Sequence, residues 1–344
     1  MAASLFQTRR NNVVERLERG HCVLSDPQGE VVWSVGDTDH LTYLRSSAKP
    51  MQVTALLLSG AAERFALEPA HIAVSCGSHH GEPRHVHTVG DLLRRSGVAP
   101  EMLQCGTHDL AAPISYPLAR AGLHPSPLHN NCSGKHAGML AAAQAMGAPL
   151  GSYLNRDHPV QKRILQSVSR CAGVSPDRIA VGIDGCSAPN FALPMRHIAR
   201  CFAQIADPSG LEPDLAAALN SAGAAMRADP WLVSGTDSLD TALMSAFPTM
   251  IISKGGAEGL QCVALPSHGL GLAVKFESGR ADGIGAVVLA ILRGLGVIGE
   301  SVPEPLGRFD APAVRNHRGL VVGDSRSLVD LQDAPHLRAV LAGV

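Results

Sequence analysis

Ser46 and Lys49 stand three residues apart in the run Arg45-Ser46-Ser47-Ala48-Lys49-Pro50. On a helical turn, side chains at that spacing share a face and can touch. A lysine amine withdrawn from water gives up its proton more readily, and the neutral amine can take the proton of a serine hydroxyl. The product of that transfer is a nucleophilic oxygen. Ser47 is a rival nucleophile, and Pro50 biases Lys49 away from the helical region. The spacing alone is common by chance. Its weight comes from the scarcity of lysine: of 29 Lys and Arg, five are lysines, at positions 49, 135, 162, 254 and 275. Arginine cannot lose its proton at ordinary pH, whereas lysine can.

Four other clusters carry reactive groups. Ser75-Cys76-Gly77-Ser78-His79-His80-Gly81-Glu82 offers Ser78 as a nucleophile with His79 or His80 as base. The bland alternative is a glycine turn with solvated histidines. Asn130-Asn131-Cys132-Ser133-Gly134-Lys135-His136 feeds a helix, whose first N–H groups suit an anion or an oxyanion. It lacks the G-x-x-x-x-G-K-[ST] frame of a phosphate loop, so no nucleotide reading follows. In Asp184-Gly185-Cys186-Ser187-Ala188-Pro189-Asn190, Asp184 could bind an ammonium group. Cys186 could join Cys132 as a soft metal ligand, although buried inert thiols are the default. Ser253-Lys254-Gly255-Gly256-Ala257-Glu258-Gly259 ends a strand-like run and places Lys254 where it could activate a second serine. Its bland alternative is a glycine turn with a surface lysine.

The elements that must hold these clusters are coarsely visible. Alternation across HCVLSDPQGEVVWSVGD, broken at Asp26-Pro27-Gln28-Gly29, predicts a hairpin within residues 12–33. A helical run starts at Pro50, and HIAVS (71–75) reads as a short strand. Helices are expected at about 85–96, after Asn131, over 158–172, within 194–228 and over 283–298. RIAVGID, TMIISK, QCVALP and GLGLAVKF read as strands. Helices set between early and late strands imply an α+β architecture with a mainly antiparallel sheet. The chain is read as a single domain over residues 1–344, with a Pro-interrupted tail at 301–344 of unassigned role.

Composition narrows the classes. Hydrophobic residues make up 45%, aromatics 3%, and the formal net charge is -1. The core must be aliphatic, and the basic footprint of a nucleic-acid binder is missing. The first residues have no apolar stretch of the secretory kind, and the 283–298 run is too short to span a bilayer comfortably, so no membrane partner is expected. A cytoplasmic location follows as an expectation. There the eight cysteines are free thiols or metal ligands rather than disulfides.

The segments RSSAKP, SCGSHHGE, NNCSGKHAGML, DGCSAPNFALP and KGGAEG, in that order, resemble the Rhizobium etli-type, thermolabile (class 3) L-asparaginase family. The likeness runs from about residue 12 to 290. It implies hydrolysis of L-asparagine to L-aspartate and ammonia, a fold similar to serine β-lactamases with helices flanking the sheet, and a homodimer. Residue by residue, it implies two catalytic tandems, Ser46 with Lys49 and Ser78 with Lys254. It implies a zinc site of Cys132, Lys135 and Cys186, in which the lysine is neutral. Arg45, His136 and Asp184 match positions around the substrate.

In the mechanism expected, Lys49 deprotonates Ser46, which attacks the asparagine amide carbon while backbone N–H groups of a Gly-rich loop hold the oxyanion. Ser78 and Lys254 relay protons or supply the attacking group instead. Zinc is expected to orient substrate or loops rather than to generate hydroxide. The rivals are a penicillin-recognising serine hydrolase, built on S-x-x-K and K-G-G, and a zinc-dependent amidohydrolase that attacks with metal-bound water. A non-catalytic amino-acid-binding protein would keep the pocket and release no ammonia.

Overall fold

The Asp26–Gly29 turn closes as the sequence suggests, with the Asp26 carboxylate accepting the N–H groups of Gly29 and Glu30 at 2.8 and 2.9 Å. The structure is a computed structural model and describes residues 1–331 and 337. The turn joins two of the strands: in chain order these are β1 (Ala3–Arg10), β2 (Val13–Ser25), β3 (Val31–Val35), β4 (Leu41–Tyr43), β5 (Ala180–Ile183), β6 (Pro189–Pro194), β7 (Ile252–Gly256), β8 (Leu260–Leu265), β9 (Leu270–Phe276), β10 (Val314–Arg315) and β11 (Val321–Ser327). The architecture is α+β, as expected. The described residues divide into two compact units.

The first unit comprises Met1–Ser47, Leu193–Asp207 and Ala242–Val344. Its sheet runs β10-β11-β1-β2-β9-β8-β7, with β3 added beside β2, and the neighbouring pairs are antiparallel. Helices Met195–Ala206 and Ile284–Gly294 pack on it. Ile198, Phe202, Val287 and Ile291 are fully buried there. Each such side chain contributes about 1.5–3 kcal/mol of transfer free energy. The 301–344 tail has structure of its own: helix Glu304–Asp310 leads to β10 and β11, and β11 pairs with β1. The tail's residues 332–336 and 338–344 lie outside the described residues.

The second unit comprises Ala48–Ala192 and Pro208–Thr241. It is mainly helical, with β5 and β6 as an antiparallel pair. Its central helix, Ser133–Ala145, is buried from Ser133 through Ala143. Small residues allow this, because helix Pro69–Ser75 lies almost against its backbone. A Cβ on Gly134 would stand 2.1 Å from the Val74 carbonyl oxygen.

Two local expectations need correcting. HIAVS lies in the helix Pro69–Ser75, not in a strand. Pro69 suits a first helical turn, and the His71 ring accepts the Glu68 N–H at 2.9 Å, completing a cap that a period-two reading overlooks. Lys49 is helical despite Pro50: a 3-10 turn, Arg45–Ala48, runs into helix Lys49–Gln52 with the proline in its first turn. There the missing N–H costs nothing.

Candidate active site

Lys49 is wholly buried in the second unit, among its largest fully buried side chains. Its Nζ contacts the carbonyl of Gly77, lies 2.9 Å from Ser78 Oγ and 3.3 Å from the Asn131 carbonyl. The structure therefore brings Lys49 to Ser78, 29 residues away, a pairing that local spacing did not suggest. Ser78 is half-buried at the end of a tight passage after helix Pro69–Ser75. Its N–H donates to Val233 at 2.7 Å, and the next, of His79, donates to Asn131 at 3.2 Å. Gly77 is required here: a Cβ would meet the Leu232 carbonyl at 2.7 Å and that of Val233 at 3.0 Å. The N–H of Gly77 also donates, to Val74 at 3.0 Å.

His79 is not placed as a base for Ser78. Its Nδ1 accepts the Gly81 N–H at 3.1 Å, and its Nε2 lies 3.0 Å from Ser133 Oγ. It stacks on His85 at 4.7 Å, and His85 stacks on Trp231 at 4.0 Å, a column that braces the Ser78 loop. Burial holds the His85 imidazole down at about 4. Between about pH 6.5 and pH 4 the unfolded chain binds this proton and the folded chain does not. Stability is thus fully present above pH 6.5 and falls as the pH is lowered through that window, by about 3 kcal/mol for this group. Urea unfolding at pH 7, 5.5 and 4.5 should show the decline, with a shallower slope in His85→Phe; superimposable curves would reject it.

Behind Ser78 lies the second cluster. Asn130 is buried, its side chain donating to Cys105 and Gly106 carbonyls at 3.0 and 3.1 Å and accepting the Cys132 N–H at 2.8 Å. This presents Cys132, Lys135 and His136 on the first turn of Ser133–Ala145. Cys186 arrives on the turn between β5 and β6, where Ser187 takes a positive φ of 70°. Lys135 Nζ donates to Cys186 Sγ at 3.1 Å, and Cys186 is hydrogen-bonded to Cys132. That hydrogen bond, with the charges of Lys49 and Lys135, holds the Cys132 thiol well below its usual range, and the same bond pushes Cys186 up. Burial works against the Lys135 ammonium, but the Cys132 and Cys186 sulfurs outweigh it and raise its pKa. Asp184 is half-buried beside them, its Oδ1 accepting the Gly185 N–H at 2.9 Å.

The remaining expected residues lie in the first unit. Ser46 is half-buried, whereas Ser47 is fully buried and spends its hydroxyl proton on the Leu44 carbonyl at 2.6 Å, which weakens it as a nucleophile. Arg45 adopts a positive φ of 49° and lies 3.7 Å from Glu258. Lys254 is buried on β7 and donates to the Gly255 carbonyl at 2.8 Å.

A family model for L-asparaginase II matches residues 6–327. The chain belongs to the L-asparaginase II family. No curated protein matches it. Solved structures similar to it include Mglu in its tris and glutamate form, at 16% identity and TM-score 0.45, covering 87% of this chain and 65% of that one. Mglu in its native form in 4.3 M NaCl is similar at 17% identity and TM-score 0.43, with 82% and 63% covered. A β-lactamase from Mycobacterium bovis is similar at 15% identity and TM-score 0.37, with 80% and 94% covered. The chain thus spans less than two thirds of Mglu's length in these two comparisons. No helix among the described residues is long and apolar enough to cross a membrane.

A zinc ion fits the chemistry of Cys132, Cys186 and Lys135. They are 4 or 5% exposed, with Lys135 Nζ 3.1 Å from Cys186 Sγ, and offer two sulfurs and an amine, a donor set that suits zinc. All eight cysteines are free thiols. A second group with ligand spacing, His21, His40 and Glu277 in the first unit, does not fit. His21 Nδ1 accepts the Asp37 N–H at 2.9 Å, so its proton sits on Nε2, facing Glu277 at 3.1 Å, and no lone pair is left for a cation. Sequence reasoning missed the His79–His85–Trp231 column and Tyr153, which packs under His136. Tyr153 is one of three tyrosines in an aromatic-poor chain, and that rarity was the available signal.

Proposed function

We propose that the chain hydrolyses the side-chain amide of L-asparagine, giving L-aspartate and ammonia, as a member of the Rhizobium etli-type branch of its family. The observation that carries the chemistry is the buried Lys49 amine 2.9 Å from Ser78 Oγ. As free amine, Lys49 takes the Ser78 proton while Oγ bonds to the amide carbon and the C=O electrons move to oxygen. The ammonium formed on Lys49 lies beside that negative charge and stabilises it. Collapse of the adduct breaks the C–N bond, and ammonia leaves with the proton from Lys49. Water, losing a proton to Lys49, then opens the aspartyl ester, and Ser78 recovers its hydrogen. Asp184 holds the substrate ammonium and His136 an acceptor oxygen, since both ends of an amino acid need partners away from water.

Cys132, Cys186 and Lys135 are the residues that would hold zinc. Bound there, the ion would supply fixed positive charge that orders the loops carrying Asn131 and Cys186. Elemental analysis of the purified protein should find stoichiometric zinc, and its loss in the Cys132→Ser/Cys186→Ser variant. Native protein without zinc would reject the site. Ammonia release retained after chelation speaks against attack by metal-bound water; complete loss would favour it. The same branch carries the expectation of a cytoplasmic homodimer, read by light scattering of the purified chain.

The decisive assay is a time course of ammonia from asparagine and glutamine side by side, with a chromogenic β-lactam as the third arm. Release from asparagine supports the reading. Turnover of the β-lactam alone would replace it with a penicillin-recognising hydrolase, and asparagine binding without ammonia would make the chain a binding protein.

A further inference from the structure

Three groups of the second unit, two of them buried side chains, form a chain with a defined proton order. The Gln104 backbone N–H donates to Tyr153 Oη at 2.9 Å. Tyr153 Oη in turn lies 2.6 Å from His136 Nδ1, with the two rings edge to face at 88°. Tyr153 and His136 are both fully buried, and His136 Nε2 has no hydrogen-bond partner among the described residues.

Two proton arrangements are open to a neutral His136. If Nδ1 carries the hydrogen and donates to the phenol, then the phenol's own O–H has no acceptor and the Nε2 lone pair none either, leaving two buried polar groups unsatisfied. If the phenol donates to Nδ1, only the Nε2–H is left over. An unsatisfied buried group costs about 1–3 kcal/mol, so the second arrangement wins. The backbone N–H of Gln104 decides it, because that group can only donate and so assigns the phenol oxygen its acceptor role. The leftover donor stands on the helix turn that carries Lys135, buried and with no partner among the described residues. An N–H so placed suits an acceptor oxygen of a ligand.

We propose that Tyr153 is a positioning residue that fixes His136 as an Nε2–H donor, and that this donor recognises a carboxylate oxygen of the substrate. The assignment rests on the amidohydrolase reading for the identity of the ligand, but not for the proton order. It makes the site selective for amides that carry a free carboxylate over simple amides.

The test uses the full chain labelled with 15N-histidine, the His136 ring being assigned by its loss in His136→Gln. Two-bond 15N–1H spectra should show the Nε2–H tautomer with a hydrogen-bonded Nδ1. In Tyr153→Phe the Nδ1 resonance should move to that of a free nitrogen. A proton on Nδ1 in the parent protein, or ring signals unchanged in Tyr153→Phe, overturns the proposal without a second variant needing to fold. In the ammonia assay Tyr153→Phe should raise KM for asparagine about tenfold with kcat within about threefold. Glutamine supplies the His136→Gln background with a donor that needs no tautomer. There Tyr153→Phe should add less than about twofold, and an undiminished effect contradicts the mechanism. If the parent protein releases no ammonia, the function proposed above fails alone. The spectra still decide the proton order, and calorimetry with L-aspartate, expected to weaken about tenfold in Tyr153→Phe, decides the carboxylate contact.

Discussion

Ser78→Ala should lower kcat/KM for ammonia release by about three orders of magnitude or more, with the fold and melting temperature close to those of the parent. The small polar change is made at a half-buried position, so stability is a poor explanation for any loss. Lys49→Met should cost a similar factor, and the double variant little more than either alone, because nucleophile and base act as one unit. Lys49→Arg should not rescue, since a guanidinium keeps its proton. Ser46→Ala and Lys254→Met are assayed in parallel. Near-parental rates in Ser78→Ala with a collapse in Ser46→Ala would move the acylated serine to position 46. Peptide mapping of a trapped ester reads the same question chemically.

Gly134→Ala is the second large effect. Its added methyl would sit 2.1 Å from the Val74 carbonyl oxygen and 2.7 Å from its carbon, atoms of a helix backbone that cannot rotate aside. Separating the two helices costs about 3 kcal/mol, and activity should fall with stability because Val74 lies four residues before Ser78 and Gly134 adjoins Lys135. Gly90→Ala, in helix Pro83–Arg95, is the control: nothing lies within 4 Å of its would-be Cβ. It should stabilise by about 0.5–1 kcal/mol. Thermal melts of the two variants should therefore move in opposite directions, and a neutral Gly134→Ala would show that the helices have slack.

These two sites show what was legible in the sequence. Elements governed by neighbours along the chain could be read: the Asp26–Gly29 hairpin, the helix opened by Pro159, and the antiparallel pair around Gly269. HIAVS misled because so short a run, with three apolar residues, has no diagnostic period, and its helix is decided by Pro69 and by the Glu68–His71 cap. The reactive clusters stood out because three of them hold a rare lysine and four of them carry glycine beside reactive groups. What could not be read is who meets whom. Lys49 reaches Ser78 through a fold in the helical unit rather than through spacing. Gly134 looked like part of a binding loop, whereas its missing side chain serves the contact with Val74. The strand partner of β1 was hidden in a tail without pattern, since β11 pairs over the whole length of the chain.

That discontinuity matters during synthesis. β2 is finished at Ser25, yet its neighbour β9 begins at Leu270, after every segment of the helical unit has been made. At roughly 5–20 residues per second, the β2 edge waits about 10–50 s on the ribosome before its partner emerges. The β2 residues that β9 will pair, Gly20 to Ser25, are buried in the finished sheet. The nascent chain thus offers an unpaired apolar edge throughout the period in which the helical unit can already fold. Expression yield should accordingly depend on holding chaperones and on growth temperature more than on the stability of the finished protein.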